Sequence, residues 1–330
     1  MEKFSVKFVD FGAQYRAHKE EYDEAITRTL NSGKLILQED GEKFEENLAK
    51  FMGMKYAVAV ANGTDAILLA LKAIGIKGQK ILVPGYTFKA TMEAIHNSGN
   101  TPIIRDIDET RLLDSSEECI PVHIEGSVAH HCPDAIMEDA AQALGAKGVG
   151  YSGTVSLSFY PAKILGCFGD GGAVVTNDKD VYEKVKLLRH HWQTNENEEY
   201  AYNSRLDNVQ AAFLNVKLKY LPEILKRREE IATMYKALEG YVDLPYYQEG
   251  RVWQDYVIET EQPGMLAGFL KAKGIQTLGH GMTPPHKAFG TGQKLPNTEE
   301  LYSRMLRLPC NETLTNEQVE YVIESVKEYV

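Results

Sequence analysis

Long apolar runs are missing from this chain. No stretch approaches the roughly 20 apolar residues that a membrane-spanning helix needs, and the start, MEKFSVKFVD, lacks the apolar core of a secretory leader. An excess of positive charge is missing too. The 36 Lys and Arg stand against 47 Asp and Glu, a formal net charge of −11, which argues against a nucleic-acid binder with its basic patch or stripe. Cysteine is sparse: Cys119, Cys132, Cys167 and Cys310 are scattered with no CxxC pair, which suits a reducing cytoplasm better than a disulfide framework. Internal repeats and low-complexity segments are also lacking. These absences predict a cytoplasmic protein with neither a membrane nor a nucleic acid as partner.

Metal-ligand spacing is absent as well. His123 with His130, His131 and Cys132 offers metal-capable side chains, but at no zinc spacing, and the adjacent rings of His190 and His191 point in different directions on a helix. The reading is loop or surface histidines in both places, and no metal.

What is present is an ordinary globular composition, 43% hydrophobic and 25% charged, over 330 residues, a length that suggests about two domains. The first half alternates strand-like and helical stretches. KYAVAV precedes DAILLALKAI, KILVP precedes KATMEAIHNSG, and TPIIRDI, CIPVHI, DAIM, SLSFY and AVVT follow. Such alternation predicts parallel βαβ units in an α/β sheet. From Ser204 to Glu239 the pattern is helical, with Leu206, Val209, Phe213 and Val216 at helical spacing, and Pro222 is expected to kink or divide it. Beyond Gly240 come a strand at RVWQDYVIET, a helix near MLAGFLKAKG, a short strand at IQTL and two terminal helices, the last with Thr315 and Gln318 as a capping box. The expected organisation is a large α/β domain over residues 1–215, a helical link over 216–240 and a smaller α+β domain over 241–330.

Chemistry is expected at the carboxyl ends of the parallel strands, where open α/β sheets bind ligands. After KYAVAV come Asn62, Gly63 and Thr64 at a helix start, either a phosphate site or a plain helix cap. After DAIM come Glu138, Asp139 and Gln142. Ser158 sits on SLSFY, and Lys163 follows a few residues later in PAKILGCFGDGG. Taken alone, Asp170-Gly171 is a hairpin signal whose residues favour φ > 0, and the lysine merely solvated. Taken with the helix start, the acid and the serine, the lysine suggests pyridoxal phosphate. That cofactor needs an amine for its aldehyde, an anion site for its phosphate and a carboxylate for its ring nitrogen.

Six stretches in order, YAVAVANGTDAILLAL, VPGYTFKAT, PVHIEG, MEDAAQALGA, SFYPAKILGCFGDGGAVVTND and YNSRLDNVQAA, resemble the pyridoxal-phosphate-dependent sugar aminotransferases of the DegT/StrS type, with the type I aspartate aminotransferase fold. The resemblance implies a mostly parallel sheet flanked by helices in the large domain. It implies that Lys163 is the Schiff-base lysine and acid/base, and that Asp139 partners the pyridinium nitrogen. Gln142 would lie near the ring hydroxyl; Gly63, Thr64 and Ser158 would cradle the phosphate. Phe88 would stack on the ring, or else pack as core. Asn203 would reach the phosphate of a neighbouring subunit, which implies a homodimer with shared active sites. Arg205 beside it and His286 in TPPHKAFG are substrate neighbours by the same resemblance, against plain readings as a surface arginine and a loop histidine.

The implied activity is ping-pong transfer of an amino group from an amino acid, with L-glutamate expected, to a keto nucleotide-sugar through the pyridoxamine phosphate form. An aminocyclitol acceptor is the near alternative. A sugar dehydratase on the same scaffold carries histidine where Lys163 stands, and a non-catalytic, regulatory relative is the alternative of a different class. One departure stands out: residues 107–136 are trimmed, so one crossover over the sheet is expected to be missing or replaced by a loop.

Overall fold

A computed structural model describes residues 4–191 and 201–330, so the first three residues of the stretch read for a leader lie outside it. Helices α1 (Phe11–Ala17), α2 (Lys19–Ser32) and α3 (Glu39–Met52) lead into β1 (Tyr56–Val60), α4 (Gly63–Ile74), β2 (Lys80–Pro84), α5 (Ala90–Asn97) and β3 (Thr101–Arg105). Then come β4 (Glu138–Asp139), β5 (Thr154–Ser158), β6 (Gly172–Thr176), α6 (Lys179–Leu188), α7 (Asn208–Lys219) and α8 (Leu221–Tyr235). The C-terminal part holds β7 (Tyr256–Glu259), α9 (Pro263–Ala272), α10 (Pro285–Ala288), α11 (Pro296–Arg304), β8 (Met305–Leu308) and α12 (Asn316–Tyr329).

Strand periodicity builds two cores on opposite faces of one sheet. Ala57 and Ala59 of β1, Val155 and Leu157 of β5, and Ala173 and Val175 of β6 join Phe44 and Leu48 of α3 and Leu214 of α7. The alternate residues Val58, Val60 and Val174 join Ile67 and Leu71 of α4, Ile95 of α5 and Val185 of α6. A strand covered on both faces reads as a continuous apolar run, as YAVAV does.

Strand β6 runs antiparallel to both β1 and β5, while β4 pairs parallel with β5 and β2 parallel with β3. Parallel bridges Leu82–Cys119, Cys119–Ala135 and Val122–Asp139 join the two sets. The lateral order is therefore β3, β2, the 119–122 segment, β4, β5, β6, β1. The sheet is mostly parallel, as expected, with β6 the exception to the βαβ reading.

The trimmed region carries no α-helix between Asn97 and Lys179, only a 3₁₀ turn at Ile124–Gly126. A loop replaces the crossover. It is not left bare, because Val128, Ala129 and Cys132 turn inward and are buried. The expected IQTL strand reduces to two isolated bridges, Val6–Ile275 and Leu278–Arg307. Gly274 and Gly279, both at positive φ, bracket it and stop extension. Pro222 divides the helical region as expected: α7 ends at Lys219 and α8 begins at Leu221, with the proline in its first turn. Thr315 and Gln318 form the capping box of α12. Around the antiparallel pair β7–β8, a separate smaller core gathers Tyr235, Trp253, Tyr256, Leu266, Leu306, Leu308 and Val322. Among the described residues no helix is long and apolar enough to cross a membrane.

Candidate active site

The glycines around Lys163 serve space rather than turn conformation. Neither Asp170 nor Gly171 has a positive φ, so the tight-hairpin reading does not hold. Strands β5 and β6 pair up to Ser158–Gly172, and a long excursion between them carries the lysine. A Cβ on Gly172 would sit 2.4 Å from the Asn62 carbonyl, and one on Gly166 would sit 2.3 Å from Pro161 O. The close approach at Gly172 presses the end of the Lys163 excursion against the turn that starts α4.

That turn has the features of an anion cradle. Asn62 caps α4, its Oδ1 accepting from Asp65 N–H at 2.8 Å. Gly63 and Thr64 open the helix, where N–H groups have no intrahelical acceptor and the dipole favours negative charge. Gly63 is required here because a Cβ would lie 2.8 Å from Ser158 Cβ, so the serine and the helix start touch. Ser204 Oγ accepts from Ala61 N–H and donates to Asp65 Oδ2 at 2.6 Å, which pins the 203–205 segment beside the same turn. A cavity of about 420 Å³ opens beside Thr64, with Met92, Ile104 and Phe289 in its wall.

Asp139 is buried at the carboxyl end of β4. Its Oδ2 accepts from Thr91 Oγ1 at 2.8 Å and its Oδ1 from Ala141 N–H at 3.1 Å. Gln142 is tied by its Oε1 to the N–H of Glu125 at 2.8 Å. Glu125 itself has φ 57°, a left-handed backbone that is costly for a residue with a side chain. Its buried carboxylate accepts from Tyr86 Oη at 2.8 Å and Arg111 Nη1 at 3.2 Å, which holds the strained turn in place.

Lys163 is partly buried, and its pKa lies below the ordinary lysine value. Burial is the main cause, opposed by the charges of Asp255 and Asp139 and reinforced by Arg307. The lysine therefore stands in the field of the buried acid after β4 and of an ion pair from the C-terminal part, Arg307 Nη1 to Asp255 Oδ2 at 3.2 Å. Arg307 Nε is buried with no hydrogen-bond partner among the described residues. Sequence reading missed Asp255, Arg307 and Thr91. The one available signal was a charge inside an apolar strand pattern, as in Leu306-Arg307-Leu308.

The remaining expected residues fall in varied places. Phe88 is 60% exposed before α5, so its alternative reading as core does not hold. Asn203 is exposed and its backbone bridges to His190. Arg205 Nη1 meets His190 Nδ1 at 2.8 Å. His286 is not a free loop histidine: it is buried in α10, with Nε2 at 3.2 Å from Glu299 Oε1. His123 is no surface histidine either. It is fully buried, Nδ1 accepting from Ala129 N–H, so that Nε2–H donates to Glu138 Oε2 at 2.9 Å. His130, His131, His190 and His191 are exposed.

The residues fit pyridoxal phosphate: a depressed-pKa lysine, a buried carboxylate at a strand end, and a helix start from which a Cβ is excluded. Comparison with known proteins agrees. The chain is 34% identical over 366 aligned residues, covering 98% of this chain and 96% of the relative, to the dTDP-3-amino-3,4,6-trideoxy-alpha-D-glucose transaminase of Streptomyces venezuelae. It is 33% identical to a protein of Geobacillus stearothermophilus named as a pleiotropic regulatory protein, over 98% of both chains. The crystal structure of S. venezuelae DesV superposes with a TM-score of 0.91 at 33% identity, covering 100% of this chain and 99% of that one. The chain belongs to the DegT/DnrJ/EryC1/StrS aminotransferase family, whose model matches residues 16–327.

Proposed function

We propose that the chain transfers an amino group from L-glutamate to a keto nucleotide-sugar, with pyridoxal phosphate as the cofactor. The observation that carries this reading is Lys163: an amine depressed by burial, in the same site as the buried Asp139 carboxylate. The cofactor supplies an aldehyde to condense with amines and a ring that accepts the electrons of the substrate's Cα–H bond. The protein's residues do the rest. Gly63, Thr64 and Ser158 hold the phosphate. Asp139, oriented by Thr91 and Ala141 N–H, would be the carboxylate that partners the ring nitrogen. Gln142, anchored on Glu125, would meet the ring hydroxyl, and the exposed Phe88 would cover the ring. Lys163 carries the proton at its Nζ, and its low pKa leaves more neutral amine at a given pH than a free lysine has.

Arg307 is a cation on this side of the site, and its buried Nε, with no partner among the described residues, is suited to a carboxylate of the donor. Arg307→Lys keeps the charge beside Asp255 but loses the fork. It is expected to raise the KM for L-glutamate about tenfold while changing kcat much less. Steady-state kinetics at varied glutamate checks this, and an unchanged KM removes the role.

The acceptor side rests on the named sugar transaminase among the relatives. The exposed Asn203 and the half-buried Arg205 are assigned to the neighbouring subunit's site in a homodimer, with His286 near the sugar. Lys163 stands against the dehydratase reading, in which histidine takes its place.

The deciding experiment is the visible spectrum of the purified protein with pyridoxal phosphate, before and after L-glutamate. A yellow band that bleaches on addition supports the transfer. A yellow protein indifferent to glutamate overturns that donor, and indifference to every amino acid would favour the regulatory alternative.

A further inference from the structure

Gln254 comes from the segment before β7, some ninety residues from Lys163, yet its side chain spans the lysine's backbone. Its Oε1 accepts from Ile164 N–H at 3.0 Å, and its Nε2 donates to Ala162 O at 2.9 Å. Those two groups belong to the peptide units on either side of Lys163. A carboxamide offers a donor and an acceptor on the same planar group, so glutamine at this reach closes both bonds at once.

The clamp is itself fixed. Gln254 is buried, and Arg228 Nη1, also buried, donates to the carbonyls of Trp253 at 3.0 Å and Gln254 at 3.2 Å. Arg228 is held in turn by Glu312, at 2.9 Å from Nη2. On the far side of the loop, Lys163 N–H donates to Tyr160 O at 2.8 Å, and Lys217 Nζ donates to Gly166 O at 3.1 Å. The next residue, Asp255, supplies charge to Lys163. One short segment of the C-terminal part thus fixes the lysine's backbone and contributes to its electrostatics.

We infer that Gln254 is a positioning residue for Lys163. Lys163 sits in an irregular loop, and its side chain has four rotatable bonds before the reacting amine. With the backbone pinned on both sides, only the side chain has to move when the amine exchanges partners. An unpinned loop spreads the amine over positions, and displacements of about 1 Å are enough to cost a large factor in rate. The inference rests on the reading of Lys163 given above.

The test uses the full chain and two variants. Gln254→Met keeps the volume and loses both bonds; Gln254→Glu keeps the acceptor for Ile164 N–H but sets an oxygen against Ala162 O. Cofactor-free protein is mixed with pyridoxal phosphate, quenched with borohydride over time, and the modified lysine mapped by peptide mass spectrometry. Expected for Gln254→Met are fixation at Lys163 slowed about tenfold, a shifted pH midpoint of the visible band, and kcat about tenfold lower with the glutamate KM within about twofold. Gln254→Glu should lie between it and the unaltered protein. A lowered melting temperature with unchanged fixation rate, pH midpoint and kcat in both variants makes Gln254 merely structural and overturns the inference. Fixation on another lysine in the unaltered protein overturns the reading of Lys163 itself, and the inference with it.

Discussion

Lys163→Ala is expected to abolish amino transfer, with a loss of at least about 10³-fold, because the same amine both binds the cofactor and moves the proton. The fold should survive. The residue lies in the excursion between β5 and β6, outside the strand register, and its backbone bonds to Tyr160 and through Gln254 to Ala162 and Ile164 do not involve the side chain removed. Removing a partly buried, depressed-pKa amine also relieves a desolvation cost. Three measurements check this: turnover, borohydride fixation of added pyridoxal phosphate, and the melting temperature. Turnover near that of the unaltered protein would end the central assignment, whatever the melting temperature did.

Asp139→Asn is expected to leave pyridoxal phosphate bound and to lower kcat about 10²–10³-fold, the range seen when a preorganised electrostatic group is removed from a site. The substitution is nearly isosteric. The asparagine Oδ1 can keep the bond from Ala141 N–H, and the Thr91 hydroxyl can turn from donating to accepting against the new amide. Packing therefore changes little, and what is lost is the negative charge. Cofactor stoichiometry near one per chain with a collapsed single-turnover rate is the expected pair of results. An unaffected rate would remove the role assigned to Asp139, and loss of the cofactor would make it a binding group.

How much of this was legible beforehand differs from element to element. YAVAV and KILVP could be read as strands because strands covered on both faces show as continuous apolar runs, and SLSFY could be read from its alternation. The capping box at Thr315 and Gln318 and the break at Pro222 were legible for the same local reason: caps and proline act within one turn. IQTL was misread because short apolar runs look alike whether or not a neighbour pairs with them. The hairpin signal at Asp170-Gly171 does not hold, and sequence gives no sign that Gly172 and Gly166 serve close approach to Asn62 and Pro161.

The sequence by itself determined the alternating α/β order, the strand-end position of Asp139, and the motifs that mark Lys163 and the α4 start. These are local features, written in periodicity and in side chains next to one another. Tertiary structure alone decided the rest: the antiparallel setting of β6, the burial of His123 against Glu138, the Glu125–Arg111–Tyr86 cluster that holds Gln142, and the approach of Gln254, Asp255 and Arg307 to the lysine. The physical reason is distance along the chain. Hydrogen bonds and charge effects depend on separations of a few ångströms in space, and no periodicity records that residues well separated in sequence, from Arg111 and Glu125 to Gln254 and Ile164, meet there.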